Sequence, residues 1–504
     1  MSELPWLTLL ILVPLVGALV TGFLPSRQGE ALPKQVGLGF AAATLVPALV
    51  VALGFERDGG FQFTEEHEWI GLLGAHYALG VDGLGLLMVL LTVVLVPLVM
   101  LASWRDSDEG STRAFFGWVL ALEALSLAVF TATDVFLFYV VFEATLIPAY
   151  FLIAGFGREG RSRAATKFLV YQLAGGLIML ASVIGLYVVS ADAGSPSYLL
   201  GDLAALEIDE TTQRWLFVGF FIAFAIKAPM FPVHTWLADT TEKATTGTSV
   251  LLVCVLDKIG TFGMLRFCLG LLPDASRWAT PVVVVLALVS IVYGALVAIG
   301  QDDVLRLIGL TSLSHFGLIV LGIFVLSSQG AAGAILYMVN HGLATAALFL
   351  VAGFMIRRSG TPLISQMGGL EKVAPVLAGT FLVAGLAALG LPGLSPFVSE
   401  MMVLIAAFGY AWWTGAVAVT AIVLAAIYVL WTYQRTMTGP TRPEHAGVTD
   451  LDTREVGVLA PLLLALVLFG FVPMPLLDVI NPHVEDTLTQ VGVTDDLPTV
   501  GADQ

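Results

Sequence analysis

The chain of 504 residues has only two cysteines, Cys254 and Cys268, and both fall in one apolar stretch. That excludes a disulfide framework and argues against an iron–sulfur cluster held by this chain. No Gly-rich nucleotide loop follows a strand, so no redox cofactor of its own is expected. No group of metal-ligating residues at suitable spacing occurs, so no metal is expected either. Charge is scarce as well: 12% of residues are charged against 58% hydrophobic, with a mean hydropathy of +0.93. A soluble fold of this length could not hide so much apolar surface, which leaves a polytopic membrane protein. The start, MSELPW, lacks a basic n-region, and the first positive charges, Arg27 and Lys34, follow the first apolar span, so no cleaved signal peptide is expected.

What is present is a series of membrane-length apolar runs. They read as 4–24, 34–54, 80–103, 113–131, 134–155, 163–190, 212–238, 247–270, 279–300, 303–326, 331–357, 374–410, 413–436 and 456–476. The expected architecture is all-α, with about fourteen transmembrane helices in one integral-membrane domain over 1–476 and an acidic C-terminal tail over 477–504. Loops 55–79 and 191–211 are polar and acidic, and 437–455 is the main linker on the other side. With both termini placed outside, sixteen Lys and Arg fall in inner loops: Arg27, Lys34, Arg105, Arg113, Arg158, Arg161, Arg163, Lys167, Lys243, Arg306, Arg357, Arg358, Lys372, Arg435, Arg442 and Arg454. Three fall outside (Arg57, Arg214, Arg277) and three within spans (Lys227, Lys258, Arg266). This bias sets the expected orientation in a cell or inner membrane, both termini outward. The net charge of −16 then reflects acidic outer loops and the tail (Glu485, Asp486, Asp495, Asp496, Asp503) rather than affinity for a basic partner, and no nucleic-acid partner is expected.

Two spans are interrupted. The seventh breaks at Pro229 and Pro232 in FAIKAPMFPVHTW, and the twelfth at Pro392 and Pro396 in AALGLPGLSPFVSE. Asp134-Val135 opens the fifth span and Asp303-Val304 the tenth, so both markers repeat five helices apart. An odd number of spans inverts the second unit, giving two inverted five-helix repeats, about helices 4–8 (113–270) and 9–13 (279–436), with ion sites expected at midplane around the broken helices 7 and 12.

Buried charges stand at that depth. Glu143, Lys227, Lys258 and Glu400 all lie near mid-bilayer, and charges at one depth suggest a path parallel to the membrane. Glu143 and Lys227 are expected to form an ion pair. It is either a fixture of helix packing or a switch in which separation favours the neutral amine and releases a proton. Lys258 is either the central relay or a snorkelling lysine, and its depth speaks against snorkelling. His315 and His341 are either packing residues or a water-linked bridge between Lys258 and Glu400. His234, beside the first break, serves proton entry or caps freed carbonyls. Glu123 is a further candidate in the fourth span, Asp257 has no assigned role, and Asp82 and Asp134 read as helix caps.

On these residues the chain resembles the antiporter-like membrane subunits of respiratory complex I, the proton-translocating NADH–quinone oxidoreductase. The segments that carry the resemblance are GVDGLGLLMVLLT (80–92), FYVVFEATLIPAYFLIAGFG (138–157), FAIKAPMFPVHTWLAD (224–239), LDKIGTFGMLRF (256–267), VYGALVAIGQDDVLRLIGLTSLSHFGL (292–318), MVNHGLATAALFLVAG (338–353) and LGLPGLSPFVSEMMVL (389–404). A carboxylate at Glu400, where sister chains usually carry lysine, places the resemblance nearest the M-type branch. The resemblance implies proton transfer through Glu143, Lys227, Lys258 and Glu400, with channel histidines at His315 and His341. It implies FMN, iron–sulfur clusters and quinone in partner subunits, other antiporter-like chains and membrane lipids as neighbours, and protons and water as the cargo and medium. The sequence departs from the family at Ala238 and Thr245, where proline is usual, and at Asp257, where a polar or small residue is usual. A subunit of a multi-subunit cation/proton antiporter and a pure scaffold are the competing expectations.

Overall fold

A computed structural model describes residues 4–25, 31–57, 60–105, 111–194 and 196–493. Arg27, Asp495, Asp496 and Asp503 of the charge pattern lie outside the described residues. The described chain is nearly all helix, and twelve of its helices are long and apolar enough to cross a membrane. The two remaining expected spans are the interrupted ones. One is built from Glu210–Lys227 and Thr235–Lys243, the other from Pro375–Ala388 and Ser395–Tyr410. The helices Thr246–Leu269, Val304–Phe324 and Ser328–Ser359 are wholly buried in their apolar windows, so they form the centre of the bundle.

The markers at 134 and 303 adopt the same local structure. Asp134 and Asp303 each cap a helix with the side chain. Val135 N–H donates to the Tyr198 carbonyl and Val304 N–H to the Pro362 carbonyl, each closing a short antiparallel bridge some sixty residues downstream. They sit at opposite ends of the bundle. The helix pair that starts at Val135 runs to Phe156, and Arg158 just beyond it pairs with Asp303 at 3.0 Å. One end therefore gathers Asp303 with Arg158, Lys243 and Arg306, three basic residues placed on a single side by the charge pattern.

The other end holds two features that the sequence reading did not contain. Gln62–Ile70 and Ala75–Val81 form an antiparallel hairpin within the expected polar loop. Glu65 of this hairpin accepts from Leu7 N–H at 2.8 Å and Thr8 N–H at 3.2 Å, closing the first helix with a carboxylate at its positive end. The expected exposed tail is the second difference. Met474–Gln490 is a helix whose Leu477, Ile480, His483, Val484 and Leu488 are buried. His483 and Arg266 both hold Asp82, at 2.9 and 2.6 Å, so apolar spacing and a buried ion cluster dock a segment that net charge alone marked as solvated.

Candidate proton-transfer site

The first break ends its half-helix at Lys227, the last helical residue, where unpaired carbonyls favour a cation. Pro229 lacks the N–H that would continue the ladder, and Met230 N–H takes the Ala225 carbonyl instead at 3.0 Å. The freed Ile226 carbonyl accepts from the Trp236 indole N–H, also at 3.0 Å. That capping role was one of two expected for His234, and the tryptophan fills it. His234 is buried against Phe231 and Tyr293, and its Nδ1 is without a hydrogen bond. At Thr245, one of the two positions where the resemblance implies proline, the side chain caps the next helix by accepting from Thr248 N–H at 3.2 Å.

A kink that the sequence did not mark lies beside Glu143. The span Val135–Phe156 bends at Thr145, which itself stays helical: its N–H reaches the Val141 carbonyl at 3.1 Å, and Ala149 N–H reaches its carbonyl at 3.3 Å. Pro148 explains it: four residues after Ala144, it offers no N–H to that carbonyl and crowds it. Thr145 Oγ1 donates to the Phe142 carbonyl at 2.7 Å and accepts from Lys227 Nζ at 3.2 Å. The Lys227 ammonium also lies 4.5 Å from the centre of the Phe142 ring.

The expected Glu143–Lys227 ion pair is therefore not closed in this structure. The pair stays within each other's field, but Lys227 is turned onto Thr145, whose hydroxyl accepts its hydrogen bond, and onto the Phe142 ring. Glu143 Oε1 is buried without a hydrogen bond. Its carboxylate occupies the space beside Gly176, where a Cβ would come within 1.7 Å of Oε1. Glu400 is seated in the same way. A Cβ on Gly390 would fall 1.9 Å from Glu400 Oε2, and Gly390 also has φ +77°, so the second break demands glycine twice over.

Lys258 stands between these ends. It lies in a helix carrying π-helical turns at Leu252–Leu256 and Met264–Leu269, a distortion frequent at functional sites. Its side chain is fully buried, with Nζ 2.7 Å from His341 Nδ1 and 4.3 Å from the Phe316 ring centre, so it does not snorkel to an interface. The His341 and His315 rings meet at 5.2 Å between centres. His315 Nε2 is 3.3 Å from Tyr428 Oη, and Tyr337 Oη donates to Glu400 Oε1 at 2.5 Å. Tyr337 and Tyr428 were not among the expected residues. Each sits in an apolar helix where a tyrosine reads as core, and only the fold turns its hydroxyl toward the row. Asn340 pins the restart of the broken helix, donating to the Ser395 carbonyl at 2.8 Å and Ser399 Oγ at 3.1 Å.

The structure thus brings Lys258, His341, His315 and Glu400 together with two tyrosines, and Glu143 with Lys227 through Thr145. Glu123 is buried with both carboxylate oxygens lacking hydrogen bonds. Among the described residues no three His, Cys, Asp or Glu side chains gather as a metal site.

A helical bundle with interrupted helices around a buried row of carboxylates, lysines and histidines defines a class of polytopic antiporter-type membrane subunits. The chain belongs to the NADH:quinone oxidoreductase/Mrp antiporter membrane family, whose model matches residues 132–425. It is 47% identical to NADH-quinone oxidoreductase subunit M of Mycobacterium tuberculosis, covering 99% of this chain and 97% of that protein. It is 36% identical to the subunit M of Rhodobacter capsulatus, covering 95% of each. Among solved structures it matches respiratory complex I from Thermus thermophilus with a TM-score of 0.89 and 34% identity, over 97% of this chain and 100% of that one. The Mrp complex from Dietzia sp. shares the fold, with a TM-score of 0.84, at 22% identity over 97% of this chain and 100% of that one.

Proposed function

We propose that this chain is a proton-translocating membrane-arm subunit of NADH-quinone oxidoreductase. Electron transfer, with its FMN, iron–sulfur clusters and quinone, takes place in partner subunits and drives this chain through contacts with neighbouring antiporter-like chains. The observation that carries the reading is the row of ionisable groups: the partly buried Glu143 with buried Lys227 at one break, Lys258 with His341 and His315 at the centre, and Tyr337 with Glu400 at the other break. Each group can accept and return a proton, and water fills the gaps between them. His234 and Glu123 are accessory groups beside the row. The two units, about 113–270 and 279–436, are inverted repeats, supported by the matched starts at Asp134 and Asp303 on opposite ends of the bundle. The chain lies in the cell inner membrane among lipids, both termini outward.

Membership of a cation/proton antiporter complex is the alternative reading. It is the weaker fit, since near-full-length identity is to subunit M chains and the Mrp likeness is one of fold. Purification in mild detergent decides between them. Co-migration with flavin- and iron–sulfur-containing subunits is expected, whereas partners limited to other antiporter-like membrane chains would overturn the assignment.

A further inference from the structure

Lys227 and Lys258 end two separate clusters, and between them stands Asp257. It is 1% exposed, and its Oδ2 is buried without a hydrogen-bond partner. The adjacent Lys258 does not satisfy it, because neighbouring helical side chains point roughly 100° apart and Lys258 Nζ is turned to His341 and the Val253 carbonyl. Asp257 looks the other way. The same helix meets the first break at Gly260, three residues on, where a Cβ would lie 2.4 Å from Ala228 N and 2.6 Å from the Phe224 carbonyl oxygen. Residues three apart share a helix face, so Asp257 stands on the side that abuts the end of the Lys227 half-helix. The backbone there is set by a π-helical bond, Asp257 N–H to the Leu252 carbonyl at 2.9 Å, which moves Asp257 and Lys258 in register relative to a regular helix. Lys227, Lys258 and Cys254 are the ionisable groups within electrostatic reach of Asp257.

We propose that Asp257 is a relay carboxylate that passes the proton between Lys227 and Lys258 and so joins the two halves of the row. The inference rests on the proton-translocating reading. The Lys227 ammonium gives a proton to the Asp257 carboxylate, directly or through water, leaving a neutral amine and a carboxylic acid. The acid then protonates the neutral amine of Lys258, through water or after a turn of the lysine side chain, and returns to carboxylate. No bond other than N–H and O–H changes, and no co-reactant is needed. As carboxylate, Asp257 also serves as the counter-charge of whichever lysine is protonated, which a serine or glycine at this position could not do.

The test uses the whole purified complex in vesicles, comparing Asp257→Asn, Asp257→Glu and Lys258→Met. Asp257→Asn is expected to assemble and to lose proton translocation about tenfold, with Asp257→Glu recovering most of it. Infrared difference spectra between resting and turning-over complex should show a carboxylic-acid C=O band that disappears in Asp257→Asn and shifts in Asp257→Glu. Wild-type translocation in Asp257→Asn overturns the relay while leaving the row intact, provided Lys258→Met is defective. A slowed Asn variant with an unchanged carboxyl band also overturns it and marks Asp257 as a fixed counter-charge. If Asp257→Asn fails to assemble, the Glu variant decides: no shift of the band overturns the relay. Normal translocation in Lys258→Met would instead sink the function on which the inference rests.

Discussion

Replacing Lys258 by methionine is expected to reduce proton translocation by the assembled complex roughly a hundredfold, the upper part of what one acid–base group contributes. Methionine fills nearly the same volume and keeps the contact with the Phe316 ring, so the buried site stays packed. Lys258 Nζ is held by the His341 ring and the Val253 carbonyl rather than by a carboxylate, so methionine breaks no closed ion pair. The fold therefore survives while the chemistry does not. Lys258 Nζ is hydrogen-bonded to His341, and a thioether can neither donate to that ring nor carry a proton. Detergent-solubilised complex of unchanged subunit composition, together with a pH-dye assay in vesicles, separates the two effects. Wild-type translocation would mean that Lys258 is off the path.

Glu143→Gln is expected to lower translocation roughly tenfold or more, with normal assembly. The amide is the shape of the acid and fits the slot beside Gly176, but it cannot bind and release a proton at that site. The magnitude follows from the open pair. Two unit charges attract by about 4 kcal/mol at ~4 Å and about 2 kcal/mol at ~8 Å when the effective dielectric is near 20. A swing of Lys227 from Thr145 to Glu143 that halved the separation in this way would change its electrostatic support by about 2 kcal/mol. That matches the ~2.3 kcal/mol needed to move one charge across 100 mV. Removing the Glu143 charge removes the difference between the two positions, and the swing then drives nothing. Glu143→Asp keeps the charge but withdraws it by one methylene, so an intermediate rate is expected.

Much of this was legible in the chain itself. Membrane-length apolar runs placed the helices, because hydrocarbon leaves the backbone few alternatives. Pro229 and Pro392 placed two breaks, because proline removes a donor whatever the context. Glu143, Lys227, Lys258 and Glu400 stood out as costly charges at matching depth. What stayed hidden depends on long-range contact. Pro148 was in view, but a single proline in a span reads as a kink, and only the Lys227–Thr145 bond shows that the kinked turn is used. Tyr337 and Tyr428 look like core residues until the fold points their hydroxyls at Glu400 and His315. Gly176 and Gly390 carry no signal of their own, since the carboxylates they admit come from 33 residues upstream and 10 residues downstream. The helix Met474–Gln490 was masked by acidic residues on its solvent side.

The continuity of the row across the molecule is tested most directly by comparing proton translocation in Glu143→Gln, Glu400→Gln and the variant carrying both. If protons pass sideways along one path, blocking either end stops the flow. Each single variant should then fall to the level of the double. Two single variants that each keep a substantial share of translocation, lost only when the substitutions are combined, would mean that the two breaks serve separate paths, and the account would be contradicted.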